Sequence, residues 1–254
     1  MTIERPEFPQ FFITEEANCP YIEGRMERKV FTHLVGNDAV KLHDVLANGG
    51  FRRSQNIAYR PSCEDCHACV SVRIPVDKFI WKKSFLRVLK RNKHLSSHIM
   101  PAVTTPEQFS LFSDYVASRH GDGGMADMTV LDFSAMVEES AVNTNLIEYR
   151  HQPQISLANP QTQKGRQQGP LTAVALTDRL ADGLSMIYSF FDIEQASQSL
   201  GTFMILDHIQ KIQKMGLPYL YLGYWINGSQ KMSYKANFLP QERLGENGWV
   251  LVEV

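Results

Sequence analysis

The stretch from Leu184 to Trp225 constrains the fold more than any other part of the chain. "LSMIYSFFD" reads as a strand and "SLGTFMILDHIQKIQKMG" as a helix, with Ser199 as candidate N-cap and Gly216 as its stop. Ile205, Ile209 and Ile212 recur on one helical face. Pro218 follows, and "LPYLYLGYW" reads as a second strand. A strand–helix–strand unit places its two strands parallel, joined by a right-handed crossover. Just upstream, "LTAVALTD" is a further strand, linked to the first by the turn "DRLADG". The expectation is an α+β fold whose C-terminal half is α/β-like and carries the best core.

The rest of the chain is ordinary in bulk and unusual in detail. Its 254 residues suffice for a large core, and a 43% hydrophobic content is that of a globular protein. A net charge of −1 excludes a uniformly basic nucleic-acid binder but leaves room for a local basic patch. The N-terminal "MTIERPEFPQFF" lacks a signal-peptide core, and no apolar run approaches the roughly 20 residues of a membrane span. These features predict a soluble, cytoplasmic protein without membrane contact, a compartment in which disulfides are rare.

Three of the four cysteines, Cys63, Cys66 and Cys69, fall within "YRPSCEDCHACVSVRIP", and Cys19 stands far upstream. Two C-x2-C steps in series can aim thiolates at one ion, and Cys19 would complete four soft ligands for zinc or an iron–sulfur cluster. The competing reading is packing, since free cysteine behaves as a small hydrophobe. A catalytic thiol is disfavoured because nothing nominates a histidine base. Alternating Val70, Val72 and Ile74 predict a strand leaving the cluster.

"WKKSFLRVLKRNKHL" follows. Lys82, Lys83, Arg87, Lys90, Arg91 and Lys93 carry positive charge with no acid among them, against an apolar face that includes Phe85 and Leu89. A solvated helix face and a phosphate-binding helix both fit. Further on, Thr105 and Pro106 open a helix that glycines 121–124 would stop, and "VLDFSAMVEES" is another helix. The Gln-rich, aperiodic stretch 150–170 reads as a long exposed loop. In "GYWINGSQKMSYKANFLPQE", aromatic residues alternate with Lys231 and Lys235, a pattern that suits stacking on bases beside phosphates as well as core closure.

The blocks "GFRRSQNIAYRPSCEDCHACVSVRIP", "LSMIYSFFD", "SLGTFMILDHI", "LPYLYLGYWI" and "KMSYKANFLPQE", taken in order, resemble the bacterial aminoacyl-tRNA–protein transferases. More narrowly they are similar to the aspartate/glutamate leucyltransferases, relatives of arginyl-tRNA–protein transferases. The resemblance implies leucine transfer from leucyl-tRNA to the α-amine of proteins beginning with Asp or Glu, which marks them for N-degron degradation. It also implies a GNAT-type acyltransferase domain over 101–254 behind an N-terminal region, 1–100, holding the cysteines and the basic helix. No cofactor is required for the transfer itself. A structural zinc or iron–sulfur cluster at Cys19, Cys63, Cys66 and Cys69 is the one cofactor the likeness suggests.

Within that reading, Lys82, Lys83, Arg87, Lys90, Arg91, Lys231 and Lys235 are assigned to tRNA phosphates. Arg60, then Arg73, are assigned to the acidic first residue of the acceptor. Asp192 is nominated for proton handling with Tyr188 and Tyr224 as polar neighbours, although it could equally cap the next turn. Phe190, Phe191 and Tyr221 are expected to line the leucine pocket. The sequence has "FFDI" where the family has "FFDP", so Ile193 puts the following turn in question. An arginyl donor and a non-catalytic, metal-bound tRNA-binding module remain as alternatives.

Overall fold

The structure is a computed structural model that describes residues 9–119, 125–152 and 169–253. In chain order it runs β1 (Phe12–Ile13), β2 (Ala17–Asn18), β3 (Met26–Glu27), β4 (Lys29–His33), α1 (Ala39–Asn48), β5 (Arg52–Ser54), β6 (Ile57–Pro61) and β7 (Cys69–Pro75). It continues with α2 (Lys83–Arg91), β8 (Leu95–Pro101), α3 (Pro106–Arg119), α4 (Val130–Glu138), β9 (Thr144–His151), β10 (Leu171–Leu180) and β11 (Gly183–Phe191). A 3-10 turn, Ile193–Gln198, leads into α5 (Leu200–Met215), followed by β12 (Tyr219–Ile226), a second 3-10 turn (Ser233–Asn237), β13 (Gln241–Gly245) and β14 (Gly248–Val252). The helix stop expected at 121–124 and most of the Gln-rich stretch lie outside the described residues.

The fold is mixed α+β around an eight-stranded sheet of order β14-β13-β7-β12-β11-β10-β9-β8. Among the described strands only β11 and β12 pair in parallel, as the strand–helix–strand reading requires. β10 shows why the centre of the sheet is apolar almost without alternation. Ala173 and Ala175 face a core shared with α5, while Val174 and Leu176 face another shared with Phe112 of α3 and Phe133 of α4. A strand covered on both faces must be apolar on both. α5 contributes Phe203, Met204, Ile205, Leu206, Ile209 and Ile212 to its side, and Gly216 ends it in the left-handed conformation that glycine adopts without strain. Ser199 caps less conventionally: it is itself left-handed and its side chain makes no capping bond.

A four-stranded sheet, β1-β4-β6-β5, is the second layer of the N-terminal region. The division expected near residue 100 is not a break in the main sheet, because β7 lies between β12 and β13, and β8 closes the far edge. The small sheet is riveted to the large one by Arg53. Its Nε and Nη2 each donate to Asp178 on β10 at 2.6 Å, with both side chains fully buried. Thr144 also donates to this carboxylate at 2.7 Å, and His43 stands 3.6 Å from it.

Candidate active site

β11 and β12 pair through only three residue pairs, Gly183↔Tyr219, Leu184↔Leu220 and Ser185↔Tyr221. Beyond these, β11 stays with β10 as far as Phe191, and β12 stays with β7 as far as Ile226. Each strand follows its outer neighbour, so the two part. The register of β12 on β7 shifts between Tyr221 and Gly223, and Gly223 sits at φ +71°, which other residues adopt only with strain. The opening exposes carbonyls on β11 that a continuous sheet would have paired.

Arg52, the first residue of β5, fills that role. Its Nη2 donates to the carbonyls of Ile187 at 2.8 Å and Met186 at 3.3 Å, both beyond the last β11–β12 pair. Its guanidinium lies so close to Gly223 that a Cβ there would overlap it. Next along β12, the Tyr224 hydroxyl is 3.1 Å from the carbonyls of both Gly50 and Tyr59, sharing one hydrogen between them. Burial, then the neighbouring Tyr59, pushes the Tyr224 phenol far above its ordinary range, so it stays a donor. Tyr21 is held up at about 12 by the same burial and by Tyr59.

The nominated residues do not all gather at this opening. Tyr188 follows Ile187 on β11 and packs its ring against Phe112 and Phe190, and its buried hydroxyl has no hydrogen-bond partner among the described residues. Burial raises its pKa well above the usual phenol value. Asp192 instead takes the capping alternative. Its Oδ1 accepts from the Glu194 amide at 2.9 Å and its Oδ2 from the Gln195 side chain at 2.8 Å, fixing the 3-10 turn before α5. Ile193 begins that turn, which therefore forms without the family's proline. Phe190, Phe191 and Tyr221 do not form one pocket. Phe190 packs with Phe112 and Phe133, Phe191 borders the α5 core, and Tyr221 packs with Ala47 and Leu180. Alternation along a strand sends Phe190 and Phe191 to opposite faces.

Of the two arginines assigned to the acceptor, Arg73 is fully engaged elsewhere. It donates to Glu242 at 2.7 Å, Asn48 at 3.2 Å and Tyr221 at 3.0 Å, and its guanidinium lies 3.6 Å from the Tyr219 ring centroid. Arg60 is exposed, donates to Gly49 at 3.3 Å and lies over Phe51. The sequence pattern puts Lys235 on phosphates, yet it is only 5% exposed and its ammonium donates to the Tyr224 carbonyl at 2.6 Å. Desolvation and the nearby Arg52 charge lower its pKa far below the lysine range. Lys231 remains exposed.

The basic helix matches its prediction closely. Phe85 is buried and stacks on Phe238 at 5.3 Å and Phe79 at 5.5 Å, anchoring α2. Lys83, Arg87, Lys90 and Arg91 face solvent, with Lys82 at the N-cap and Arg91 donating to the Ser197 carbonyl. Among the described residues none of these cations pairs with a carboxylate. Lys90 and Arg91 suit the helix C-terminus, but Lys83 in the first turn, with no acid beside it, opposes the dipole.

The four cysteines are free thiols, each half-buried. They share a neighbourhood: Cys69 is pushed up to about 11 by burial first and then by Cys19, Cys63 and Cys66. Four thiols are the right donor chemistry for a soft metal. Even so, among the described residues no three His, Cys, Asp or Glu side chains are arranged to hold an ion.

Sequence reasoning missed Arg52 because "RR" on a short strand gives no sign of which arginine is buried against an acid and which is not. No described helix is long and apolar enough to cross a membrane.

Comparison with known proteins places the chain. Residues 17–87 match the arginine-tRNA-protein transferase N-terminal model, and residues 107–245 match the C-terminal model of the same family. An aspartate/glutamate leucyltransferase of Azorhizobium caulinodans is 57% identical over 100% of both chains. Relatives of that name from Afipia carboxidovorans and Xanthobacter autotrophicus are 56% and 58% identical, over 100% and 96% of this chain and 97% and 96% of their own. Among solved structures, FemX aligns with 77% of this chain and 62% of its own at 11% identity and a TM-score of 0.44. L-PGS from Bacillus licheniformis aligns with 79% and 55% at 9% identity and 0.45, so the chain spans little more than half of those proteins. With both of its family models matched in order and full-length relatives above half identity, the chain is an aminoacyltransferase that belongs to the arginine-tRNA-protein transferase family.

Proposed function

We propose that this enzyme transfers leucine from leucyl-tRNA to the α-amine of proteins beginning with Asp or Glu, and that the transfer takes place where β11 and β12 part. The full-length identity of 57% to an aspartate/glutamate leucyltransferase carries the reading. The layout is consistent with a GNAT-type acyltransferase: antiparallel β9, β10 and β11, then α5, then a parallel β12 that diverges from β11. Charged tRNA is a cytoplasmic substrate, so the reaction is assigned to the cytoplasm.

The aminoacyl ester is already activated, so no nucleotide is consumed. The acceptor amine, having lost a proton, attacks the leucyl carbonyl carbon. The C–N bond forms, the C–O bond to the terminal ribose breaks, and the departing ribose oxygen takes up a proton as the new amide nitrogen loses one. Holding the two reactants together supplies much of the rate, and a donor at the developing oxyanion supplies more. The unpaired, firmly protonated Tyr188 hydroxyl suits that donor role. Tyr224 holds Gly50 and Tyr59, and thereby the base of β5 and β6, in place. Asp192 acts as a positioning residue through its turn. The exposed cations of α2, with Lys231, offer phosphate contacts, and Arg60 offers surface charge to an acidic acceptor.

The test mixes enzyme, tRNA charged with labelled leucine or arginine, and peptides beginning with Asp, Glu, Asn or Lys. Leucine on the Asp and Glu peptides alone is the expected result. Arginine there instead would overturn the donor, and no transfer with tRNA still bound would favour a binding module.

A further inference from the structure

Arg52, half-buried, and Lys235, buried, are two basic side chains with no acid beside them among the described residues. Arg52 touches Gly223 and Lys235 binds the carbonyl of Tyr224, so consecutive residues of β12 bring the two together. Among the described residues neither has a carboxylate partner, and the Nε and Nη1 of Arg52 carry no hydrogen bond. The other arginines near the opening differ. Arg53 is saturated by Asp178, Arg73 by Glu242, and Arg60 lies in solvent.

Withdrawing like charges from water without a counter-ion is unfavourable, and it is tolerated where a ligand brings the missing charge. The displaced proton affinity of Lys235 reflects that imbalance. Free N–H donors on a rigid guanidinium match a carboxylate better than an ammonium would. The position also fits, because Arg52 is held on the carbonyls of the strand that carries Tyr188.

We propose that the Arg52 guanidinium receives the side-chain carboxylate of the acceptor's first residue and so sets the preference for Asp and Glu. The assignment rests on the leucyl-transfer function proposed for this chain and goes beyond it by naming the discriminating residue.

The experiment measures single-turnover transfer of labelled leucine to peptides beginning with Asp, Glu, Asn and Gln, with wild type, R52Q and R52K. Leucyl-tRNA affinity is measured in parallel. The expected result is an Asp-to-Asn preference that falls at least tenfold in R52Q and by less in R52K, with tRNA affinity unchanged. An unchanged preference in R52Q, or equal losses on Asp and Asn peptides, would overturn the assignment. Weakened tRNA binding would overturn it too, by giving Arg52 to a donor phosphate. If R52Q fails to melt cooperatively, R52K decides, and an unaltered preference there counts against the proposal. Wild-type enzyme that transfers leucine to no peptide would remove the functional reading and this assignment with it, whereas intact wild-type selectivity persisting in the variants removes the assignment alone.

Discussion

The Lys235 ammonium donates to the Tyr224 carbonyl at 2.6 Å, inside the protein rather than on its surface. Its companion Lys231, four residues earlier, remains in solvent. Two lysines from one motif therefore do different work. Lys235→Met is expected to leave the Tyr224 carbonyl unpaired and to cost about 1–3 kcal/mol, read by urea unfolding. Lys231→Met is expected to leave stability within about 0.5 kcal/mol.

Lys90 and Arg91 end α2 without any carboxylate partner among the described residues. Reversing both to Glu is expected to weaken leucyl-tRNA binding and to lower the slope of log affinity against log salt by roughly 0.7–0.9 for each phosphate no longer neutralised. Filter binding over a salt series measures both. An unaltered slope would remove the helix from the tRNA surface.

Gly223 combines a positive φ with close approach to Arg52. Gly223→Ala is expected to strain β12 and displace the guanidinium, lowering stability by about 1–3 kcal/mol and transfer far more. Melting and single-turnover transfer compared on the same preparation separate the two effects.

Arg73 and Glu242 hold β7 to β13 at 2.7 Å, and Arg73 is 6% exposed. Glu242→Gln leaves a buried guanidinium without its counter-charge and is expected to cost about 3 kcal/mol. Acceptor preference is expected to stay as it is, since Asn48 and Tyr221 still hold Arg73 away from the acceptor. A changed Asp-to-Asn ratio in this variant would contradict that.

His208 lies wholly inside, its Nδ1 2.7 Å from the Met204 carbonyl and its Nε2 3.0 Å from Thr177 Oγ1. Burial lowers its pKa from 6.5 to about 4. The unfolded chain therefore binds more protons between those values, and stability rises with pH across the interval. The contribution, up to about 3 kcal/mol, is complete above about pH 6.5 and is lost as pH falls toward 4. Thermal melts at pH 4.5 and 7 should differ more for wild type than for His208→Gln.

Much of the fold was written locally. The helix from Leu200 to Met215 follows from its isoleucine spacing and Gly216, and α2 follows from Phe85 set among cations. The strands on either side of α5 follow from apolar runs bounded by turn residues, and their parallel pairing follows from the crossover between them. The sequence also singled out Tyr188 and Tyr224, which do stand on the two strands that part. It could not tell Arg52 from Arg53, nor Arg60 from Arg73, because the fate of an arginine depends on acids distant in the chain. Asp178 is 125 residues from Arg53, and Glu242 is 169 from Arg73. The sequence likewise could not place Lys235 inside or separate Phe190 from Phe191, because burial depends on which layer covers each face. Short-range periodicity sets the elements, whereas the opening between β11 and β12, and the uncompensated charge within it, exist only once β7 and β10 have drawn those strands apart.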